Sequence, residues 1–444
     1  MFSCASVGPE ADNHCMSEPR AKTSRAGLLL TGGGARAAYQ VGVMEAIANI
    51  RKDCGAINEP NPFPIITGTS AGAINAAAIA CGADNFDATV RMVANVWRNF
   101  HAHQVYRADS IGMLRSGASW MTLLSIGWLV AKWRRIKPRS LLDNSPLHEL
   151  LQDLVPLQRL PELIAGGHVH AIAITASSYS SGDHITFFDG SVDLVPWVRT
   201  QRLAVRDRIT HEHLLASSAI PFVFPAKPLL MEDHTEYFGD GSMRQSAPVS
   251  GAIHLGAERI LVVGAGRMHE PKNEAHLHTT NTYPSLAQIA GHALSNIFLD
   301  ALAVDIERVK RINQTISLVP PAARAASALR PIELLVISPT QRLDAIAAKH
   351  VDDLPHAVRI MLGGVGVSSK KADVKGAALA SYLLFESGYT RELMALGYAD
   401  AMNKKGEICS FFGWTDPGEA ALGPDNPAFC KVFVDRRRDP LRLR

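Results

Sequence analysis

Residues 64–81 read PIITGTSAGAINAAAIAC, and the fold turns on how this stretch is read. Pro64-Ile65-Ile66-Thr67 is an apolar run of strand character, Gly68-Thr69-Ser70-Ala71-Gly72 is a tight turn, and the Ala-rich segment from Ala71 to Cys81 favours a helix. A serine at such a strand-to-helix corner sits on strained backbone, which is tolerated only where the residues two positions away carry no bulky Cβ. Gly68 and Gly72 meet that requirement, so Ser70 is the candidate nucleophile. Its place at a helix N-terminus adds the positive end of the helix dipole, which favours an alkoxide-like species.

A second strand, turn and helix lies upstream, with Thr31-Gly32-Gly33-Gly34-Ala35-Arg36-Ala37 between the run Gly27–Thr31 and the helical segment Ala35–Ile50. A phosphate-binding loop needs GK[ST] at its end, which is absent. A dinucleotide site needs glycine where Ala37 stands and an acid at the end of a second strand, whereas Asp53 directly follows the helical stretch Val43–Lys52. The third reading is an oxyanion hole, in which successive glycines let backbone N–H groups converge on the oxygen that becomes negative when a serine attacks a carbonyl. In that reading Arg36 either adds positive charge or holds the loop by hydrogen bonding.

Further strands are expected at Val169–Ser177, Ile185–Asp189 and Arg259–Val263. Apolar runs alternating with glycine turns and amphipathic segments predict an α/β fold with a mostly parallel sheet between helices. Beyond Pro284 the pattern turns helical, with segments at Leu286–Ile312, Gln341–Lys349, Leu354–Leu362, Gly376–Glu386 and Thr390–Asn403, interrupted by an apolar run at Ile332–Ile337 with strand character. The link Met268–Tyr283 is rich in His, Asn and Thr. These features divide the chain into a leader over 1–26, a catalytic domain over 27–266 and a mainly helical region over 284–444.

Composition narrows the function classes. The 444 residues carry 45 Lys+Arg against 42 Asp+Glu, a net charge of +3, which gives no reason to expect a nucleic-acid partner. The six cysteines lack CxxC spacing, which fits a reducing compartment, and the leader lacks the apolar core of a classical signal peptide, so a cytoplasmic location is expected. The segment 110–140 stands out: Trp120, Trp128 and Trp133 lie in an apolar stretch too short to span a bilayer, and Arg134 and Arg135 belong to the basic run that follows. It reads equally as an interfacial helix docking on anionic lipid or as a lid packed on the core. The basic run Arg436-Arg437-Arg438 reads as a solvated tail or as a further attraction to anionic lipid.

A nucleophilic serine needs a base. Four His-x-His pairs, at 101/103, 168/170, 211/213 and 276/278, read as surface or structural residues. Gly239-Asp240-Gly241-Ser242 follows the β-like Tyr237-Phe238, and glycines around the aspartate let it approach another loop closely. An ordinary Asp-Gly hairpin turn fits the same spacing.

In this order, the loop Gly32-Gly33-Gly34-Ala35-Arg36, the elbow Gly68–Gly72 and Asp240-Gly241 resemble the patatin-like phospholipase family. Ser140–Leu147, Ala216–Pro221 and Phe224-Pro225 look similar too. The resemblance implies a three-layer α/β fold and acyl-ester hydrolysis by a Ser–Asp dyad, with no metal or organic cofactor. Ser70 is then the nucleophile, Asp240 the base, and Gly33, Gly34 and Arg36 the oxyanion hole, acting on phospholipid or lysophospholipid at an anionic membrane surface. A soluble carboxylesterase or thioesterase, or a non-catalytic lipid-binding protein, are the alternatives. Two departures stand out: Ala37 replaces the family's usual closing glycine, and Ser242 stands where Gly or Ala is common.

Overall fold

The computed structural model describes residues 25–107, 140–267, 286–327, 329–364, 367 and 374–416. The expected docking residues Trp120, Trp128, Trp133, Arg134 and Arg135, the leader as far as residue 24 and the Arg436–Arg438 run lie outside them.

Ten strands form one sheet: β1 (Ala26–Leu30), β2 (Ile65–Thr69), β3 (Ala171–Ser178), β4 (His184–Gly190), β5 (Val198–Arg199), β6 (Arg202–Arg206), β7 (Lys227–Met231), β8 (His234–Asp240), β9 (Arg259–Val263) and β10 (Glu333–Ile337). Its order is β10-β9-β1-β2-β3-β4-β6-β5, and the β7–β8 hairpin branches from β3 through β8. From β10 to β3 every pairing is parallel. β1, β2 and β3 are buried along their whole length, as parallel strands covered on both faces must be.

Leu28, Leu30, Ile66 and Ile174 point into one core, while Leu29, Ile65, Ala173, Ile260 and Val262 point into another. This alternation puts helices on both faces. The first face carries α1 (Ala38–Asp53), α2 (Ala71–Ala80), α3 (Phe86–Arg98) and α4 (Ser145–Leu154). The second carries Ser250–His254 and α5 (Leu286–Leu318), whose Leu302, Ile306 and Val309 fill that core. The result is three layers. From the C-terminal region, β10 extends the sheet beside β9, and α6 (Ser387–Met402) packs on α1. Among the described residues, no helix is long and apolar enough to cross a membrane.

The strands expected from apolar runs are present with ends shifted by a residue or two. β5, β6 and β7 were not legible, because β5 is very short and β7 contains Pro228. Pro228 is tolerated since β7 pairs only with β8 and is an edge strand. The helix expected over Gly376–Glu386 instead spans Val374–Ala380. Ser381 Oγ returns to the Ala378 carbonyl at 2.6 Å, and the Tyr382 carbonyl is claimed by the Ala35 N–H at 3.0 Å, so residues 381–385 leave the helix. α5 runs past Ile312 to Leu318, two residues before Pro320.

Candidate active site

The elbow forms where β2 ends and α2 begins. Ser70 has φ 56° and ψ −133°, a conformation that costs a non-glycine residue about 1–3 kcal/mol. It caps α2, yet its hydroxyl makes no capping hydrogen bond. That oxygen donates instead to Asp240 Oδ2 at 2.6 Å. The elbow needs Gly72 for a steric reason: any Cβ there would strike the carbonyls of Leu30 and Thr31, because the loop after β1 crosses directly over it.

Register explains how residues 170 positions apart meet. β2 runs along one edge of β3 until Thr69 pairs with Thr175, while β4 occupies the opposite edge. β8 then takes over antiparallel, pairing Asp240 with Ala176. Ser70 therefore leaves the sheet where Asp240 arrives. Gly241 opens a 3-10 turn, Gly241–Arg244, so the hairpin-turn reading of Asp240-Gly241 does not hold. A Cβ on Gly241 would strike the Thr175 carbonyl.

Asp240 is fully buried. Its Oδ1 accepts the Ser242 N–H at 2.9 Å while Oδ2 faces Ser70. Burial pushes its carboxyl up to about 6, and the hydrogen bonds from Ser70 and Ser242 offset part of that rise. A base in this range is ionised at neutral pH yet strong enough to take a proton from a hydroxyl. His234, the histidine nearest Asp240 in sequence, binds Asp233 and Glu236 instead.

Gly32, Gly33 and Gly34 follow β1, alongside the elbow because Leu30 pairs with Gly68 of β2. Thr31 pins the loop: its carbonyl accepts from Gln40 Nε2 at 2.7 Å and its Oγ1 from the Ala265 N–H at 3.0 Å. Gly34 has φ +55°, which glycine alone adopts without strain. The N–H groups of Gly33 and Gly34 have no hydrogen-bond partner among the described residues. Arg36 is buried, and its guanidinium engages Ser381, the Ala378 carbonyl and the Tyr382 ring. Of the two uses open to Arg36, loop-holding is the one these contacts support.

Ser70 and Gly34 open onto an apolar pocket lined by α2, α3 and α4 together with Ile220, Phe224 and Phe385. Among the described residues, its lining carries no charged side chain and no histidine. Sequence reasoning missed four contributors. Ser217 Oγ accepts the Ser70 N–H at 2.8 Å and donates to the Thr175 carbonyl at 2.6 Å, bracing the elbow; it lay in a family-like stretch without an assigned role. Trp97 comes from the strongly amphipathic α3, whose apolar face was the available signal, and Phe100 follows just after that helix. Phe385 comes from a region that no motif marks. Among the described residues, no group of three or more His, Cys, Asp or Glu side chains could hold a metal ion.

The profile of the family described as patatin-like phospholipase matches residues 28–253. No curated protein sequence matches the chain. Among solved structures, VipD from Legionella pneumophila aligns at 12% identity over 87% of this chain and 68% of its own, with TM-score 0.34. Human GIVD cytosolic phospholipase A2 aligns at 11% identity over 88% of this chain, TM-score 0.42, and this chain covers 60% of the human protein. ExoU of Pseudomonas aeruginosa aligns at 16% identity over 93% of this chain and 84% of its own, TM-score 0.26.

Proposed function

Since this chain belongs to the patatin-like phospholipase family, we propose that it is a serine lipid acyl hydrolase cleaving carboxylic esters of phospholipid or lysophospholipid. The observation that carries this reading is the 2.6 Å contact between Ser70 Oγ and the buried Asp240 carboxylate, with Ser70 lining an apolar pocket. Ionised Asp240 takes the hydroxyl proton as Ser70 attacks the ester carbonyl. The carbonyl oxygen gains negative charge next to the uncommitted N–H groups of Gly33 and Gly34. Each such donor is worth about 100- to 1,000-fold in turnover. Asp240 returns the proton to the leaving alcohol, and an acyl group stays on Ser70. Water then gives its proton to Asp240 and attacks the acyl carbonyl, and Asp240 returns that proton to Ser70 Oγ as the fatty acid is released.

The pocket favours an acyl chain, because the walls beside Ser70 are almost wholly aliphatic and aromatic. The substrate head group then stays outside, at a lipid–water interface. The Trp-rich basic segment over 110–140 is the proposed contact with an anionic membrane surface, and the division into catalytic domain and C-terminal region is carried forward with it.

The test is fatty-acid release from mixed phospholipid vesicles by wild type, Ser70→Ala and Asp240→Asn, beside p-nitrophenyl butyrate as a soluble ester. Loss of both activities in both variants supports the dyad. Wild-type turnover of the soluble ester alone favours a carboxylesterase or thioesterase. Turnover of neither favours a lipid-binding role.

A further inference from the structure

The C-terminal region reaches back to the glycine loop. After the helix Val374–Ala380 the chain turns through Ser381, Tyr382, Leu383 and Leu384, all nearly inaccessible, and Phe385 lines the cavity beside Gly34 and Ser70. Arg36 Nε donates to Ser381 Oγ at 2.8 Å and Nη2 to the Ala378 carbonyl at 3.4 Å, while the guanidinium lies 4.1 Å from the centre of the Tyr382 ring. Ala35 N–H donates to the Tyr382 carbonyl at 3.0 Å, and that same carbonyl blocks any Cβ on Gly34. Two adjacent residues of the loop are thus held by two adjacent residues of the strap.

The strap is itself anchored on the cavity wall. Tyr106 Oη donates to the Leu383 carbonyl at 2.9 Å, and Glu386 accepts from the Ala102 N–H at 3.1 Å. Arg36 has no carboxylate within ion-pair distance among the described residues. A buried guanidinium without an anion is costly, so the hydroxyl, the carbonyl and the aromatic face are what keep it in place. The nearby N–H groups of Gly33 and Gly34 depend on this arrangement, because Gly33 accepts the Arg36 N–H at 3.1 Å and Gly34 rests against Tyr382.

We propose that the strap Ala378–Phe385 positions the oxyanion loop, with Ser381 and Tyr382 acting through Arg36 and Ala35 on the N–H groups of Gly33 and Gly34. This rests on the hydrolase reading above. Ser381 and Tyr382 are positioning residues. They touch neither ester nor water, but set donor geometry to the fraction of an ångström that oxyanion stabilisation demands.

The experiment measures kcat and KM on p-nitrophenyl butyrate for wild type, Ser70→Ala, Ser381→Ala, Ser381→Thr, Tyr382→Leu, Arg36→Met and the double variant Arg36→Met/Ser381→Ala. Asp87→Asn serves as a structural control, since Asp87 pairs with Arg51 at 3.0 Å at the C-terminal end of α1, the end remote from the loop. Expected is a fall in kcat of roughly 10- to 100-fold for Ser381→Ala and Tyr382→Leu with KM nearly unchanged, restored in part by Ser381→Thr. The double variant is expected to be no worse than Arg36→Met, because the serine acts through the arginine. If Ser381→Ala does not fold, Tyr382→Leu carries the test. Wild-type kcat in the strap variants, a rise in KM alone, or an equal loss of kcat in Asp87→Asn overturns the strap and leaves the hydrolase reading standing. A wild type that turns over no ester overturns both.

Discussion

Replacing Asp240 by Asn should remove activity and, at the same time, make the folded protein more stable at alkaline pH than the wild type. Burial raises the Asp240 carboxyl from 3.8 to about 6. The folded state therefore holds that proton more tightly than the unfolded chain. This contribution to stability is complete below about pH 4 and is lost as pH rises through about 6. A shift of roughly two units at about 1.4 kcal/mol each puts the loss near 3 kcal/mol in the wild type by pH 8. Asn pays no such penalty, though its amide accepts weaker hydrogen bonds from Ser70 and Ser242, a cost of about 1 kcal/mol. The net advantage of the Asn variant at pH 8 is thus on the order of 1–2 kcal/mol, vanishing toward pH 4. Thermal unfolding of both proteins at pH 8 and pH 4.5 measures it. In the proposed mechanism the same carboxylate governs activity: kcat/KM of the wild type on a soluble ester should fall about tenfold below its plateau at pH 5, since a base titrating one unit higher is mostly protonated there. An acidic limb centred near pH 4, or a stability difference that does not grow with pH, would refute the reasoning.

Three further outcomes follow from the geometry. Gly34→Ala places a methyl against the Tyr382 carbonyl on backbone with φ +55°, so kcat on p-nitrophenyl butyrate should drop by about 100-fold or more; near-wild-type turnover would remove the loop from the reaction. Val96→Trp fills part of the cavity wall, so hydrolysis of long-chain p-nitrophenyl esters should fall at least about tenfold against the butyrate, and an equal change on both would show that acyl chains bind elsewhere. Trp120→Ala/Trp128→Ala should lower turnover on anionic vesicles but leave the soluble ester unaffected; equal loss on both would assign that segment to the core.

Local chemistry was enough to identify the elbow and the glycine loop. Ser70 between Gly68 and Gly72, and Gly33-Gly34 after β1, are governed by backbone strain and Cβ clashes within a few residues, and such constraints leave their mark on the sequence. The parallel strands were legible for a similar reason: strands buried on both faces must be apolar throughout. Asp240 was legible as a residue but not as a neighbour. Its spacing fitted a hairpin turn equally well, and only the succession of β2 and β8 along one edge of β3 brings it to Ser70. The raised carboxyl of Asp240 and the bracing by Ser217 depend on what surrounds them in space. The strap was the least legible element. Residues 376–386 have helical composition, and the helix ends early because a carbonyl and a hydroxyl find partners on a loop some 345 residues away. The sequence by itself therefore determined the candidate reacting groups and the folding class, through short-range sterics and hydrophobic periodicity. Which groups meet, how strongly Asp240 holds its proton and what packs against the glycine loop were decided by tertiary contacts, whose partners are distant along the chain and leave no local pattern.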